Sequence, residues 1–142
     1  MLISGILNPA INSLLSRVRH TNTLVIADRG FPFWPQIETV DISLVDDIPT
    51  VLDVLAAIQR NFVLGSVFMA SEFRSSNDAP TQARFQQALA GTALIFEPHI
   101  DFKKRVGLVR QRIIFRLACR YDETKTDEQN DSSKTCFHAG IL

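Results

Sequence analysis

The chain has 142 residues, of which 46% are hydrophobic and 21% charged, a composition that suits one globular domain able to bury a core without metal or disulfide staples. Fifteen Lys and Arg balance fifteen Asp and Glu, so no net field favours nucleic acid or an anionic membrane surface. No apolar run reaches the roughly 18 residues of a membrane span.

The opening residues MLISGILNPAINS lack a basic start and a continuous apolar stretch, so no signal peptide is expected. Asn8-Pro9 reads as an N-cap followed by proline at the first helical position. Ile11, Leu14, Leu15 and Val18 then recur at helical spacing, and the helix is expected to end near Arg19. Residues 23–27, TLVIA, have the continuous aliphatic character of a strand buried on both faces. Pro32 and Pro35 make 28–36 a loop leaving that strand's carboxyl end. Residues 37–45 alternate apolar and polar, as a half-covered strand does. Pro49 is expected to open a second helix with Val51, Leu52, Leu55 and Ile58 inward. Residues 62–70 read as a buried strand, Pro80 starts a third helix through Phe85 and Leu89 ending at Gly91, and 92–96 is a short strand. This alternation predicts a single-domain α/β layered fold with a largely parallel sheet flanked by helices.

Beyond residue 102 the texture changes. Residues 103–120 carry seven basic side chains and no acidic one, read as a solvated helix face, since no interleaved aromatics suit base stacking. Residues 121–135 have almost no apolar content and read as a polar, disordered tail. The last seven, CFHAGIL, turn apolar again. The expected organisation is therefore a domain over 1–120 and an atypical polar tail over 121–142.

In open α/β sheets ligands bind outside the carboxyl ends of the strands. Asp28 falls there, with Phe31, Phe33 and Trp34 in the loop beside it, a combination that suits a sugar: rings for C–H faces, a carboxylate for hydroxyls. His20 lies about 16 Å or more away if the run between them is extended. Either the 20–23 segment folds back, or a neighbouring subunit supplies one of the two. Each residue also has a plainer reading. His20 can satisfy the last carbonyls of a helix, Asp28 can form a turn, and the aromatic cluster can be core or subunit interface. His99 and Glu72 share the strand-end address. Cys119 and Cys136 fall outside any CxxC spacing and only three histidines occur, so no metal site is expected and a reducing cytoplasm fits. Residue types and spacing alone stop at a small-molecule site of unknown type.

Several blocks carry more. GILN at 5–8, SLLSRVRHTNTLVIADRGFP at 13–32, DISL at 41–44 followed by IPTVLDVL, and the His99-x-x-Phe102-Lys103 spacing resemble the D-ribose pyranase/L-fucose mutarotase family over roughly residues 1–110. Asp28-x-Gly30-x-Pro32 is similar to the ribose branch, the fucose branch typically having Asn at the position of Gly30. The resemblance implies a cytoplasmic, cofactor-free isomerase that interconverts cyclic forms of a free monosaccharide. It also implies a ring-shaped homo-oligomer, often a decamer, with active sites between subunits and no nucleic-acid or membrane partner. By carry-over, His20 is the general acid/base, Asp28 accepts a substrate hydroxyl, and His99, Lys103 and Tyr121 contact the sugar.

The family's usual ending, a Tyr-Ala-Asn motif leading into a final apolar strand, is altered. Tyr121 is followed by Asp122 and Glu123, and the polar tail is expected to replace the final strand. This leaves two alternatives to a ribose pyranase: a non-catalytic sugar-binding or assembly protein of the same fold, and an L-fucose mutarotase.

Overall fold

The structure is a computed structural model that describes residues 5–19, 22–28, 35–108, 112–117 and 138–141. The run after Asn22 forms β1 (Thr23–Asp28), and alternation explains why Leu24 to Ala27 within it are all apolar. Leu24 and Ile26 face one hydrophobic cluster, while Val25 and Ala27 face another on the opposite side of the sheet. The other strands are β2 (Glu38–Asp41), β3 (Ser66–Ala70), β4 (Ala93–Glu97), β5 (Arg112–Leu117) and β6 (His138–Ile141), in the sheet order β2-β5-β1-β6-β3-β4. β5 runs parallel to both β1 and β2, β3 is parallel to β4, and β6 is antiparallel to both β1 and β3. Because β6 opposes both neighbours, the other five strands share one direction. Their carboxyl ends therefore meet at a single edge, which is what positions the site.

Helices cover both faces. α1 (Pro9–Leu15), α2 (Val51–Gln59), α3 (Phe73–Ser76) and α4 (Ala79–Ala88) enclose the larger cluster, in which Leu14, Leu15, Leu55, Ile58, Phe73 and Phe85 pack on Ile26, Val67 and Met69. On the other face α5 (His99–Leu108) lays Phe102 and Val106 against Val25, Ala27, Ile37 and Phe68. The caps follow from sequence. The Asn8 side chain accepts the N–H groups of Ala10 and Ile11 at 2.9 and 3.1 Å, ahead of Pro9. Thr50 and Asp53 form a reciprocal capping box on α2. Asp78 accepts the Thr81 N–H at 2.9 Å, so α4 opens at Ala79 and holds Pro80 within its first turn.

Several sequence expectations are corrected. α1 stops at Leu15, not near Arg19, because the N–H groups of Arg17 and Val18 turn back three residues to Leu14 and Leu15. Asn22 then closes a turn, its N–H donating to the Arg19 carbonyl at 2.8 Å while its side-chain oxygen accepts the Arg19 N–H. The strand expected over 37–45 ends at Asp41, whose carboxylate accepts the Ser43 N–H at 3.0 Å and turns the chain. The strand expected from residue 62 begins at Ser66, paired with Ala93 at the start of β4, and Val63 ahead of it is 99% exposed.

The basic stretch is not one solvated helix face. Its beginning lies in α5, and residues 112–117 form β5 between β1 and β2, in register from Thr23 with Arg112 to Asp28 with Leu117. Nor does the polar ending displace the last strand. The apolar HAGI segment at 138–141 takes the place between β1 and β3, with Ala139 opposite both Ile26 and Met69. The intervening residues, Tyr121 among them, lie outside the described residues.

Candidate functional site

The common carboxyl edge gathers the ends of β1, β3 and β4. Asp28 closes β1, Ser71 and Glu72 follow β3, and Glu97-Pro98-His99 leads from β4 into α5. β4 stands three strand positions from β1, so the His99 and Asp28 backbones lie about 14 Å apart across the sheet. The two are neighbours along one edge rather than in direct contact.

His99 and Lys103 are brought together. They lie four residues apart on α5, hence one above the other on a helix face, and both are half-buried. The start of α5 is tied to the sheet twice. The Glu97 carboxylate accepts Nε and Nη2 of Arg105 at 2.7 and 2.8 Å, and that guanidinium stacks on the Phe68 ring 4.1 Å from its centroid. The Glu72 carboxylate accepts the His99 N–H, with Oε1 at 3.1 Å and Oε2 at 3.0 Å. Burial pushes the Glu72 carboxyl upward, but its own N–H, the His99 N–H, the Ser71 hydroxyl and the nearby His99 ring outweigh it. The carboxyl is held below its ordinary value and is ionised at neutral pH.

Sequence reading placed Glu72 at a strand end but missed this reach to His99. It missed the Glu97–Arg105 pair altogether: eight positions apart, the pair matches no helical spacing, because Glu97 belongs to the strand and Arg105 to the helix. His20 and Tyr121 lie outside the described residues, as do the aromatic loop residues Phe31, Phe33 and Trp34. Arg19 and Asn22, which bracket His20 in the chain, line a mostly apolar cavity of about 380 Å³ with Leu15, Val18, Ile58 and Phe62. That cavity lies at the opposite edge of the sheet. Asn22 precedes β1 and Asp28 ends it, a separation of about 20 Å along an extended strand.

Among the described residues no three His, Cys, Asp or Glu side chains converge as metal ligands, and no helix is long and apolar enough to cross a membrane.

The arrangement defines a layered α/β protein with polar and charged residues gathered at the edge where parallel strands end and a helix begins. The chain belongs to the RbsD / FucU transport protein family, whose sequence profile matches residues 1–114. A D-ribose pyranase of Chromobacterium violaceum is 33% identical over 97% of this chain and 96% of its own length. A D-ribose pyranase of Bacillus licheniformis is 32% identical over the same shares. The fold is shared with Bacillus subtilis RbsD, solved in complex with D-ribose, at a TM-score of 0.78 with 20% identity, covering 99% of this chain and 95% of that one. It is shared also with a Streptococcus pneumoniae fucose mutarotase in complex with L-fucose, at 0.64 with 14% identity, covering 94% and 90%.

Proposed function

We propose that this protein is a sugar isomerase of the D-ribose pyranase type, interconverting pyranose and furanose forms and anomers of free D-ribose. The observation that carries this reading is the match to D-ribose pyranases along nearly the whole chain. The reaction needs little machinery. A base takes the proton of the anomeric hydroxyl, the bond from C1 to the ring oxygen breaks, and an acid protonates that oxygen, leaving the open-chain aldehyde. Closure by another hydroxyl, or on the other face, gives the other ring size or anomer. An imidazole with a reference pKa near 6.5 serves as base in one direction and acid in the other.

His20 takes that role. Asp28 accepts a sugar hydroxyl, and His99, Lys103 and Tyr121 supply further contacts. The reaction calls for no cofactor. About 20 Å of strand separates Asn22 from Asp28, which supports a site shared between chains. The site is completed between subunits of a homo-oligomer, a ring such as a decamer, with the amino edge of one subunit meeting the carboxyl edge of the next. The protein acts in the cytoplasm, in keeping with cysteines that form no disulfide-type pattern.

The test is NMR magnetisation exchange between ribose pyranose and furanose signals, with wild-type protein and His20→Ala, followed by the same measurement on L-fucose. Exchange accelerated by wild type and collapsing by about 100-fold or more in His20→Ala is expected. No acceleration for ribose by a folded sample refutes the reading. Acceleration for fucose alone moves the substrate to the fucose branch, and sugar binding without exchange identifies a non-catalytic relative.

A further inference from the structure

We infer that Glu72 is a positioning residue for the sugar site, its carboxylate holding the backbone of His99 at the start of α5. The inference rests on the reading of His99 as a sugar-site residue. α5 opens behind Pro98, whose side chain offers no acceptor to cap it. The N–H groups of Asp101 and Phe102 turn back to the Pro98 carbonyl, both at 2.9 Å. The N–H of His99 goes instead to a carboxylate 27 residues earlier in the chain, shared between its two oxygens at 3.1 and 3.0 Å.

Glu72 is a well-supported anchor. The Ser71 hydroxyl donates to its Oε2 at 3.2 Å, and the Ser71 N–H donates to the Glu97 carbonyl at 2.8 Å, carrying the β3–β4 pairing past the strand ends. Phe73, the next residue, is buried with its ring centroid 5.2 Å from that of Phe85. The carboxylate thus stands on the core at the positive end of a helix, where negative charge is favoured.

A general stabilising role does not account for this geometry. α5 is already fastened by the Glu97–Arg105 pair and by the burial of Phe102 and Val106. Glu72 itself is exposed and buries little. What it adds is specific to one residue: it fixes where the His99 backbone, and so the imidazole above Lys103, begins.

The experiment measures His99 amide hydrogen exchange by NMR, together with KM and kcat for ribose ring exchange, in wild type, Glu72→Ala and Glu72→Gln. In Glu72→Ala the His99 amide is expected to exchange about threefold to thirtyfold faster, the factor carried by one lost cap, and KM to rise by a similar factor with kcat within about twofold. Glu72→Gln keeps an oxygen that accepts the His99 N–H and returns KM to within about threefold of wild type. It also serves should the alanine variant not fold. A merely structural residue would lower the melting temperature and leave KM of the folded protein where it was. Wild-type KM in folded Glu72→Ala overturns the inference, as does Gln failing as badly as Ala. If wild-type protein leaves ribose exchange unaccelerated, the functional reading falls instead. His99 amide exchange then judges the clamp alone: faster in Glu72→Ala supports it, unchanged overturns it.

Discussion

Phe102 is the side chain on which the smaller face of the sheet depends. It is 0% exposed and packs with Val25, Ala27, Ile37, Phe68 and Val106, joining α5 to β1 and β3. A buried phenylalanine removes about 150–250 Å² from water, which at about 25 cal/mol per Å² gives an upper bound near 4–6 kcal/mol. Measured Phe→Ala losses of about 3–5 kcal/mol agree. The walls of this cluster are strands held in register, so a cavity there collapses poorly and Phe102→Ala is expected to cost about 4 kcal/mol. For a chain of this length that corresponds to roughly 12 °C in Tm. Phe102→Leu keeps most of the volume and is expected to cost about 1 kcal/mol, roughly 3 °C. Thermal unfolding followed by circular dichroism at one fixed protein concentration reads both, since self-association shifts Tm with concentration. A loss under about 1 kcal/mol for Phe102→Ala, or equal losses for Ala and Leu, would refute the packing of α5 on this face.

Acid titration tests the cap of α2. Hydrogen bonds from the Thr50 hydroxyl and the Thr50 N–H hold the Asp53 carboxyl below its ordinary value, with burial opposing and Arg84 assisting. A carboxyl whose pKa is depressed by folding stabilises fully above its unfolded value, near 3.9, and loses that contribution as pH falls through the folded value. Denaturant unfolding at pH 6 and pH 3 should therefore show wild type losing more than Asp53→Asn, and equal losses would count against the capping box. Ala139→Pro removes an N–H from a strand flanked on both sides by others and is expected to cost about 3 kcal/mol or more. A variant that melts with wild type would sink the placement of β6.

Much of the fold was legible because local chemistry and global burial agree. Leu24 to Ala27 are apolar at every position because β1 is covered on both faces, and Asn8 sits where the cap of α1 is needed. Illegibility began where a segment's role depends on partners distant in sequence. RIIFRL looks basic and helical beside its charged neighbours, yet its place is a strand slot between β1 and β2. HAGI is too short to announce a strand alone, and only the gap between β1 and β3 gives it one. At the candidate site, the strand-end addresses of Asp28, Glu72 and His99 were readable, while the link from Glu72 to His99 was not.

The sequence by itself determined the α/β alternation, most helix starts, the two-sided burial of the central strand and the kinship carried by its first hundred residues. These are statements about spacing along the chain, which periodicity and capping chemistry encode locally. Only the tertiary structure decided the strand order, the single edge shared by five carboxyl ends, the antiparallel strand at the sheet's centre and the carboxylate that caps α5 from 27 residues away. Those features depend on which segments pair across space, and a hydrogen bond or a filled slot between distant residues leaves no period in the sequence to read.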